Sequence, residues 1–151
     1  MNDPIALLKQ DHRDVARMLK TLDASRPGAR RAATVKKLTD ALRLHMEIEE
    51  RRVYPLVEEL VDREDAEEAS IEHRLAREGL DQLNELVDRP GFGAVVAMLT
   101  AGIRHHVKEE EAEIFPKLKK KIDRDTLRTL GDAVVADKKQ GQTVRRVRAG
   151  L

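Results

Sequence analysis

Apolar side chains recur every three or four residues along four long stretches of the chain, which is the spacing of one buried face of an α-helix. The first stretch follows Asp3 and Pro4, a capping side chain and a proline at the first helical position. Residues 25–28, 62–65 and 88–91 are rich in turn-forming residues and separate the stretches. The four stripes are Ile5, Leu8, His12, Val15, Leu19 and Leu22; Val35, Leu38, Leu42, His45, Glu49, Val53, Leu56 and Leu60; Ala69, His73, Ala76, Leu80, Leu83 and Val87; and Val96, Leu99, Ile103, His106, Glu110, Ile114 and Leu118.

Four amphipathic helices with short connections predict an all-α fold, an up-down-up-down antiparallel four-helix bundle over residues 1–122. A short C-terminal helix is expected over residues 125–137, with Leu127, Leu130 and Val134 as a weak apolar face. Residues 138–151 form a basic tail, for which a solvated, frayed end is favoured over contact with an anionic surface. Residues 123–151 are therefore expected to lie outside the bundle. The basic side chains of this tail are Lys138, Lys139, Arg145, Arg146 and Arg148.

The composition of the chain limits the kinds of metal ligand and partner that are expected. The 151 residues include no cysteine, so disulfides and thiolate metal sites are excluded, and any metal must be held by imidazole and carboxylate. The formal net charge of +1 gives no general attraction to nucleic acid or to a membrane. No apolar run is long enough to span a bilayer, and the first twelve residues lack the features of a signal peptide. A cytoplasmic protein is expected.

Four of the five histidines form two pairs with one common offset. His12 and His45 are 33 residues apart, as are His73 and His106, and the second pair follows the first at an offset of 61. The same offset relates several neighbouring residues, which suggests one site built from two copies of a half-site. These residue pairs are Glu49 and Glu110, Glu50 and Glu111, Tyr54 and Phe115, Pro55 and Pro116, and Asp11 and Glu72.

The repeated histidines and glutamates fall at stripe positions where a helix core calls for leucine or isoleucine. In the pairs His45 with Glu49 and His106 with Glu110 the two residues lie one helical turn apart on the same face. A lone histidine on an apolar face is usually a core residue, and an isolated His-x-x-x-Glu pair is more often a surface pair. The joint pattern favours a metal site in the bundle interior, for which iron, zinc, copper or manganese would be suitable. The predicted ligands are His12, His45, Glu49, His73, His106 and Glu110.

These motifs resemble the hemerythrin-like, HHE cation-binding family over about residues 1–120. The resemblance is carried by Asp11-His12, by residues 45–50 with Tyr54-Pro55, by Glu72-His73, and by residues 106–111 with Phe115-Pro116. It implies a four-helix bundle that holds two iron ions bridged by Glu49, Glu110 and an oxo or hydroxo group. By the same resemblance the four stripe histidines are the terminal ligands. Ferritin-like di-iron bundles fit less well, because they require Glu-x-x-His pairs.

The chain departs from the oxygen-carrying hemerythrins at one position. Those proteins have a further histidine one turn after the ligand of the third helix, where this chain has Arg77. Fewer imidazoles leave an open position at each iron, which suits turnover of a small oxidant better than reversible oxygen carriage. A catalase-like activity on hydrogen peroxide is the favoured function, with dioxygen and nitric oxide as other ligands. The alternative is a non-catalytic protein that senses or stores oxygen or iron, and nucleic-acid binding through the basic tail is the weakest possibility.

Two further groups lie near the predicted ligands. His105 is rotated about 100° from the stripe, so a place on the flank is favoured over ligation. Four carboxylates just off the stripes are candidates to accept the outer N–H of a ligating imidazole on a neighbouring helix, although each taken singly is equally well explained as a solvated charge. They are Asp11, Glu50, Glu72 and Glu111.

Tyr54 is the only tyrosine. Its repeat partner Phe115 favours a packing role beside a proline that disturbs the helix. The alternative is that its hydroxyl binds iron or donates to a metal-bound oxygen. An ideal α-helix places Tyr54 about 180° around the axis from His45, which argues against the alternative. Pro55 removes the hydrogen bond to the Arg51 carbonyl and is able to change that geometry.

Overall fold

The computed structural model describes residues 2–148, with side chains through residue 144, and this part of the chain contains helices and no strand. The elements are α1 (Pro4–Asp23), α2 (Ala29–Ile48), α3 (Tyr54–Leu60), α4 (Arg63–Glu85), α5 (Phe92–Glu109), α6 (Phe115–Lys121) and α7 (Arg124–Arg148). Two π-helical segments, Glu49–Val53 and Glu110–Ile114, join α2 to α3 and α5 to α6. The site is therefore built on four helical arms: α1, α2 with α3, α4, and α5 with α6.

Local capping chemistry sets where the arms begin. The Asp3 side chain accepts a hydrogen bond from the backbone N–H of Ile5 at 3.0 Å, and Pro4 occupies the first turn, as the sequence predicts. Asp62 accepts from the N–H of Glu64 at 2.7 Å, so α4 begins within the predicted polar turn. Gly91 precedes α5 with a φ of 97°, a conformation that favours glycine.

The buried apolar side chains form two layers, and the predicted ligands lie where each arm passes from one layer to the other. Layer A contains Ile5, Leu8, Ile48, Val53, Tyr54, Val57, Ala66, Ala69, Ile114, Phe115, Leu118, Leu130 and Val134. Layer B contains Val15, Leu19, Leu22, Val35, Leu38, Leu42, Met46, Leu80, Leu83, Phe92, Val95, Val96 and Leu99. Along the chain, α1 and α4 run from layer A to layer B, whereas α2 and α5 run from B to A. The α1 helix packs on α2 and α5, and α4 packs on α5 and α3.

The π-helical segments change which residues face the core. The backbone N–H of Tyr54 donates to the carbonyl of Glu49, five residues earlier, and Phe115 makes the same bond to Glu110. Each wide turn holds one extra residue, so the residues after it are rotated backwards relative to an uninterrupted α-helix. Tyr54 is consequently buried. The proline after each segment supplies no N–H for an α-helical hydrogen bond, which favours the interruption.

The same rotation corrects part of the predicted second stripe. After Val53 the buried positions are Tyr54 and Val57, whereas the predicted Leu56 and Leu60 are only partly buried. The prediction assumed a continuous 3.6-residue period, which the wide turn at Glu49–Val53 breaks.

The C-terminal helix is longer than predicted. It runs to Arg148 and packs against α1 and α2, so the predicted end at residue 137 is wrong. Leu130 and Val134 are buried as expected, but Lys138 is not a solvated tail residue, because its ammonium group contacts the carboxylate of Asp11. The described part of the chain does not include the side chains of Arg145, Arg146 and Arg148. It also does not include residues 149–151. The division at residue 122 stays a prediction.

No helix in residues 2–148 combines the length and the apolar character that crossing a bilayer requires.

Candidate metal centre

All six predicted ligands lie in the interior of the bundle and face one another. Glu49 and Glu110 have no solvent exposure, and each of the four histidines is at least nine-tenths buried. A carboxylate buried in this way costs several kcal/mol unless charge and hydrogen bonds compensate for it. Glu49 and Glu110 are therefore stable as buried carboxylates only if positively charged groups lie beside them.

The six residues form two adjacent sites that share both glutamates. Site 1 consists of His12, His45, Glu49 and Glu110, and site 2 consists of His73, His106, Glu49 and Glu110; within each, the ligand-type atoms lie within 4.8 Å of one another. In site 1, Nε2 of His45 is 3.0 Å from Oε1 of Glu49, and Nε2 of His12 is 3.2 Å from Oε1 of Glu110.

Site 2 has the same composition and a similar spacing. Nε2 of His73 is 3.1 Å from Oε1 of Glu49, and Nε2 of His106 is 3.3 Å from Oε2 of Glu110. Each shared glutamate therefore approaches imidazoles of both sites. This arrangement is suitable for carboxylates that bridge two cations.

The outer nitrogen of every imidazole meets a carboxylate from another arm. Nδ1 of His12 lies 2.6 Å from Glu111, that of His45 2.9 Å from Asp11, that of His73 2.7 Å from Glu50, and that of His106 2.6 Å from Glu72. A carboxylate at Nδ1 accepts its proton and leaves Nε2 free to bind a metal, which is the usual arrangement around metal-ligating histidines. The predicted contact of each of these four carboxylates with the outer nitrogen of an imidazole on a neighbouring helix is confirmed.

The outer carboxylates also connect the arms in a regular way. Asp11 precedes His12 along α1 but bonds to His45 on α2, and Glu72 precedes His73 on α4 but bonds to His106 on α5. The sequence repeat at an offset of 61 is thus an approximate twofold relation in space. One half of the centre reproduces the contacts of the other.

Tyr54 breaks this symmetry. Its hydroxyl donates to Oε2 of Glu110 at 2.6 Å and lies 2.9 Å from Nε2 of His73 and 3.3 Å from Nε2 of His106. The ring of Tyr54 packs in layer A, as the favoured expectation has it, and the π-helical segment also turns its hydroxyl towards site 2, so that iron binding by the phenol stays a prediction. Phe115, its repeat partner, stacks on His12 with ring centroids 6.1 Å apart and brings no polar atom to site 1.

The buried glutamates control the protonation of the groups around them. Burial alone would lower the pKa of His45, but Glu49 and Asp11 raise it to about 10. Burial likewise opposes the charge on His106, yet Glu110, Glu49 and Glu72 raise its pKa to about 12. These imidazoles carry protons in the metal-free protein because the centre attracts positive charge.

The pKa values of Glu49 and Tyr54 are shifted in opposite directions. Burial tends to raise the pKa of Glu49, but the charge of His45 and hydrogen bonds from the imidazoles hold it well below its usual value. Burial and the negative charges of Glu49 and Glu110 raise the pKa of the Tyr54 phenol well above its usual value. In the metal-free protein Glu49 is thus ionised and the Tyr54 phenol is neutral.

Site 1 also contains buried polar atoms without a hydrogen bond among the described residues. They are Nε2 of His12, Nε2 of His45, Oε2 of Glu49 and Oε1 of Glu110. Although some of them lie close together, their angles are outside hydrogen-bond geometry. Unsatisfied buried polar atoms are rare in proteins, and here all four belong to the residues of site 1, whose ligand-type atoms lie within 4.8 Å of one another. The residues present fit a bound cation.

Arg77 and His105 lie outside the centre. The Arg77 guanidinium pairs with Glu50, with Nη2 2.9 Å from Oε1, and does not enter site 2. His105 is 62% exposed and sits 3.1 Å from Glu109 and 3.4 Å from Glu72, which confirms its predicted place on the flank. The contact of Lys138 with Asp11 was not predicted from the sequence, because nothing in a basic C-terminal stretch indicates which lysine reaches Asp11.

An open cavity of about 420 Å³ leads to the centre. The four ligand-type histidines contribute to its wall, and the rest is mainly apolar, including Val15, Leu42 and Leu99. Leu75 and Met98, at 59% and 76% exposure, also line it. Uncharged small molecules are favoured in such a passage, because a charged one would lose its hydration.

Comparison with known proteins agrees with this geometry. No curated protein and no solved structure matches the chain. The family model described as the hemerythrin HHE cation-binding domain matches residues 3–118, about three quarters of the chain and all six ligand-type residues. The His/Glu clusters are those expected of a cation-binding domain. The chain therefore belongs to the hemerythrin HHE cation-binding domain family.

Proposed function

We propose that the protein binds two iron ions, one in each site, and that Glu49 and Glu110 bridge them. The terminal ligands are His12 and His45 in site 1, and His73 and His106 in site 2. The observation that carries this proposal is the pair of buried glutamates shared between two His-lined sites. Iron supplies the redox chemistry of the centre when it is bound. The chain itself provides the ligands, their orientation and the exclusion of bulk water.

The four arms are proposed to run up, down, up and down. The short connections between them favour this order. It is further supported by the direction of each arm. Helices α1 and α4 run from layer A to layer B, whereas α2 and α5 run from layer B to layer A.

The proposed activity is catalase-like turnover of hydrogen peroxide, with dioxygen and nitric oxide as related ligands. Two features support a small uncharged substrate. The cavity beside the histidines has mainly apolar walls, and site 1 faces Phe115 rather than a hydroxyl group. Tyr54 occupies site 2 with its hydroxyl, so we assign the more open position to site 1.

The iron content of the purified, iron-loaded protein tests the metal assignment. We expect two irons per chain, and expect His73→Ala to lose at least one of them. His105→Ala is the matched control, since it removes an exposed imidazole near the centre and should retain both irons. One tightly bound zinc, or full iron retention in His73→Ala, would contradict the assignment.

Oxygen evolution from hydrogen peroxide tests the activity. The iron-loaded protein should evolve oxygen well above the metal-free protein, and Glu110→Gln should reduce the rate together with the iron content. If the iron-loaded protein holds two irons but evolves no oxygen, the non-catalytic alternative, sensing or storage of oxygen or iron, replaces the proposed activity.

A further inference from the structure

Two of the four outer carboxylates each form an ion pair with a lysine or an arginine. Nζ of Lys138 contacts both carboxylate oxygens of Asp11, at 2.5 and 2.7 Å. The Arg77 guanidinium contacts both oxygens of Glu50, with Nη2 2.9 Å from Oε1 and Nη1 2.9 Å from Oε2. The two guanidinium nitrogens of Arg77 fix the plane of the Glu50 carboxylate, whereas the single ammonium nitrogen of Lys138 holds the Asp11 carboxylate as a point charge.

The other two outer carboxylates lack such a partner. Glu72 is near the exposed His105, at 3.4 Å, and Glu111 bonds to His12. Among the side chains described, no lysine or arginine forms an ion pair with either of them. Asp11 and Glu50 thus each have a cation, whereas their repeat equivalents Glu72 and Glu111 have none among the described side chains.

The cations are distributed evenly between the two sites. Asp11 bonds to His45 of site 1, and Glu50 bonds to His73 of site 2. Each site thus has one imidazole whose carboxylate is anchored by a cation and one whose carboxylate is not. The two cations come from different elements, Arg77 from α4 and Lys138 from α7.

The α7 helix is firmly placed to supply Lys138. Asp137, the preceding residue, accepts hydrogen bonds from Nε and Nη2 of Arg52 at 2.8 and 3.1 Å. At Gly141 the backbone approaches α2 so closely that an added Cβ would lie 2.5 Å from a Leu44 methyl carbon. Helix α7 lies beyond residues 3–118, so Lys138 lies outside the matched domain.

We propose that Lys138 and Arg77 are positioning residues, each of which orients one metal-binding histidine through an outer carboxylate: Lys138 acts on His45 through Asp11, and Arg77 acts on His73 through Glu50. This inference rests on the proposed function for its effect on metal binding, but the orientation itself exists in the metal-free protein. Without its cation, the carboxylate is free to rotate towards water, and the imidazole loses the partner that directs Nε2 inward.

The orientation is measured by NMR of the metal-free protein, from the Nδ1–H signals of the individual histidines. Lys138→Met should shift or broaden the signal of His45 and leave that of His73 in place. Arg77→Met should shift or broaden the signal of His73 and leave that of His45 in place. Lys139→Met is the matched control, because Lys139 is the exposed neighbour of Lys138 and should change neither signal. Lys138→Arg keeps the charge and should restore the His45 signal.

Metal affinity is measured by cobalt(II) titration followed in the visible spectrum. In the parent protein we expect two bound ions, and in each Met variant we expect one of the two to bind about tenfold more weakly, the lower end of the range for groups that support metal ligands. If Lys138→Met is too unstable to study, Lys138→Gln and the independent Arg77 variant still test the proposal.

The outcomes separate the two proposals. Failure of the parent protein to bind cobalt(II) or iron would contradict the proposed function but leave the NMR test standing. Unchanged His45 and His73 signals in both Met variants would overturn the positioning proposal, even if the parent binds two metals. Equal changes at both histidines in either variant would also overturn it, since they would indicate general loosening.

Discussion

The hydroxyl of Tyr54 lies 2.6 Å from Oε2 of Glu110, although the two residues belong to different arms and are 56 positions apart in the chain. The contact depends on the wide turn at Glu49–Val53, which brings Tyr54 to the side of the arm that faces the centre. Phe115 follows an equivalent wide turn, so at these two positions the backbone follows the twofold relation and the side chains differ by one oxygen atom. The two sites are therefore chemically different.

Tyr54→Phe should change the visible spectrum of the iron(III)-loaded protein without loss of iron. The phenol keeps its proton in the metal-free protein, but a nearby iron(III) ion favours the phenolate, as metals do for bound thiols and water. We expect the parent to have a broad visible charge-transfer band that Tyr54→Phe lacks. Phe115→Leu is the control and should keep the band. Identical spectra for the parent and Tyr54→Phe would limit Tyr54 to hydrogen bonding.

Removal of the metal should lower the melting temperature. The metal-free centre keeps two buried glutamates and four imidazoles in contact, and metal bound only to the folded state stabilises it by mass action. With free metal at a hundred times its Kd, one site contributes about 2.7 kcal/mol, which corresponds to at least about 5 °C for a domain of this size. Calorimetry with and without iron measures the difference, and superimposable transitions would show that the centre contributes no stability.

The Arg52–Asp137 pair should make docking of α7 sensitive to acid. The hydrogen bond from Arg52 outweighs the effect of burial and holds the pKa of Asp137 below its usual value of 3.8. A lowered pKa means that the pair stabilises the folded state above pH 3.8 and that this contribution is lost as the pH falls through the pKa of the folded state.

We therefore expect Arg52→Met to melt at a lower temperature than the parent at pH 7, with the difference disappearing as the pH falls below the pKa of Asp137 in the folded state. Circular dichroism across this range measures both curves. Lys36→Met removes an exposed pair with Asp40 and should have little effect at any pH. A constant difference between Arg52→Met and the parent at all pH values would show that the ion pair is not its cause.

Leu80→Ala should destabilise the protein strongly. Leu80 is fully buried in layer B on α4, and truncation of a buried leucine costs about 2–5 kcal/mol through lost burial and the cavity that remains. Ile71→Ala on the same helix is the control, since Ile71 is 52% exposed and its truncation should change the free energy of unfolding by no more than about 0.5 kcal/mol. Urea unfolding of both variants gives the two values, and similar values would contradict the assigned core.

The sequence by itself determined the helical stripes, the first helix cap and the six buried ligand-type residues. Period and spacing are local properties, so Glu49 lies one turn from His45 in any α-helix that contains both residues. The internal repeat adds that two such pairs belong to one centre. The outer carboxylates also follow, because each is adjacent in sequence to a ligand-type residue and so lies at the edge of its stripe.

Only the tertiary structure decided where Tyr54 and Lys138 act. A residue beyond a π-helical turn faces a direction that depends on one hydrogen bond, that of Tyr54 to Glu49, and an α-helical period cannot anticipate it. Lys138 meets Asp11 across 127 residues, and that contact exists only because α7 packs against α1 and α2. Long side chains such as lysine follow no periodic rule at such distances, since packing between elements, not spacing within one, determines which groups they reach.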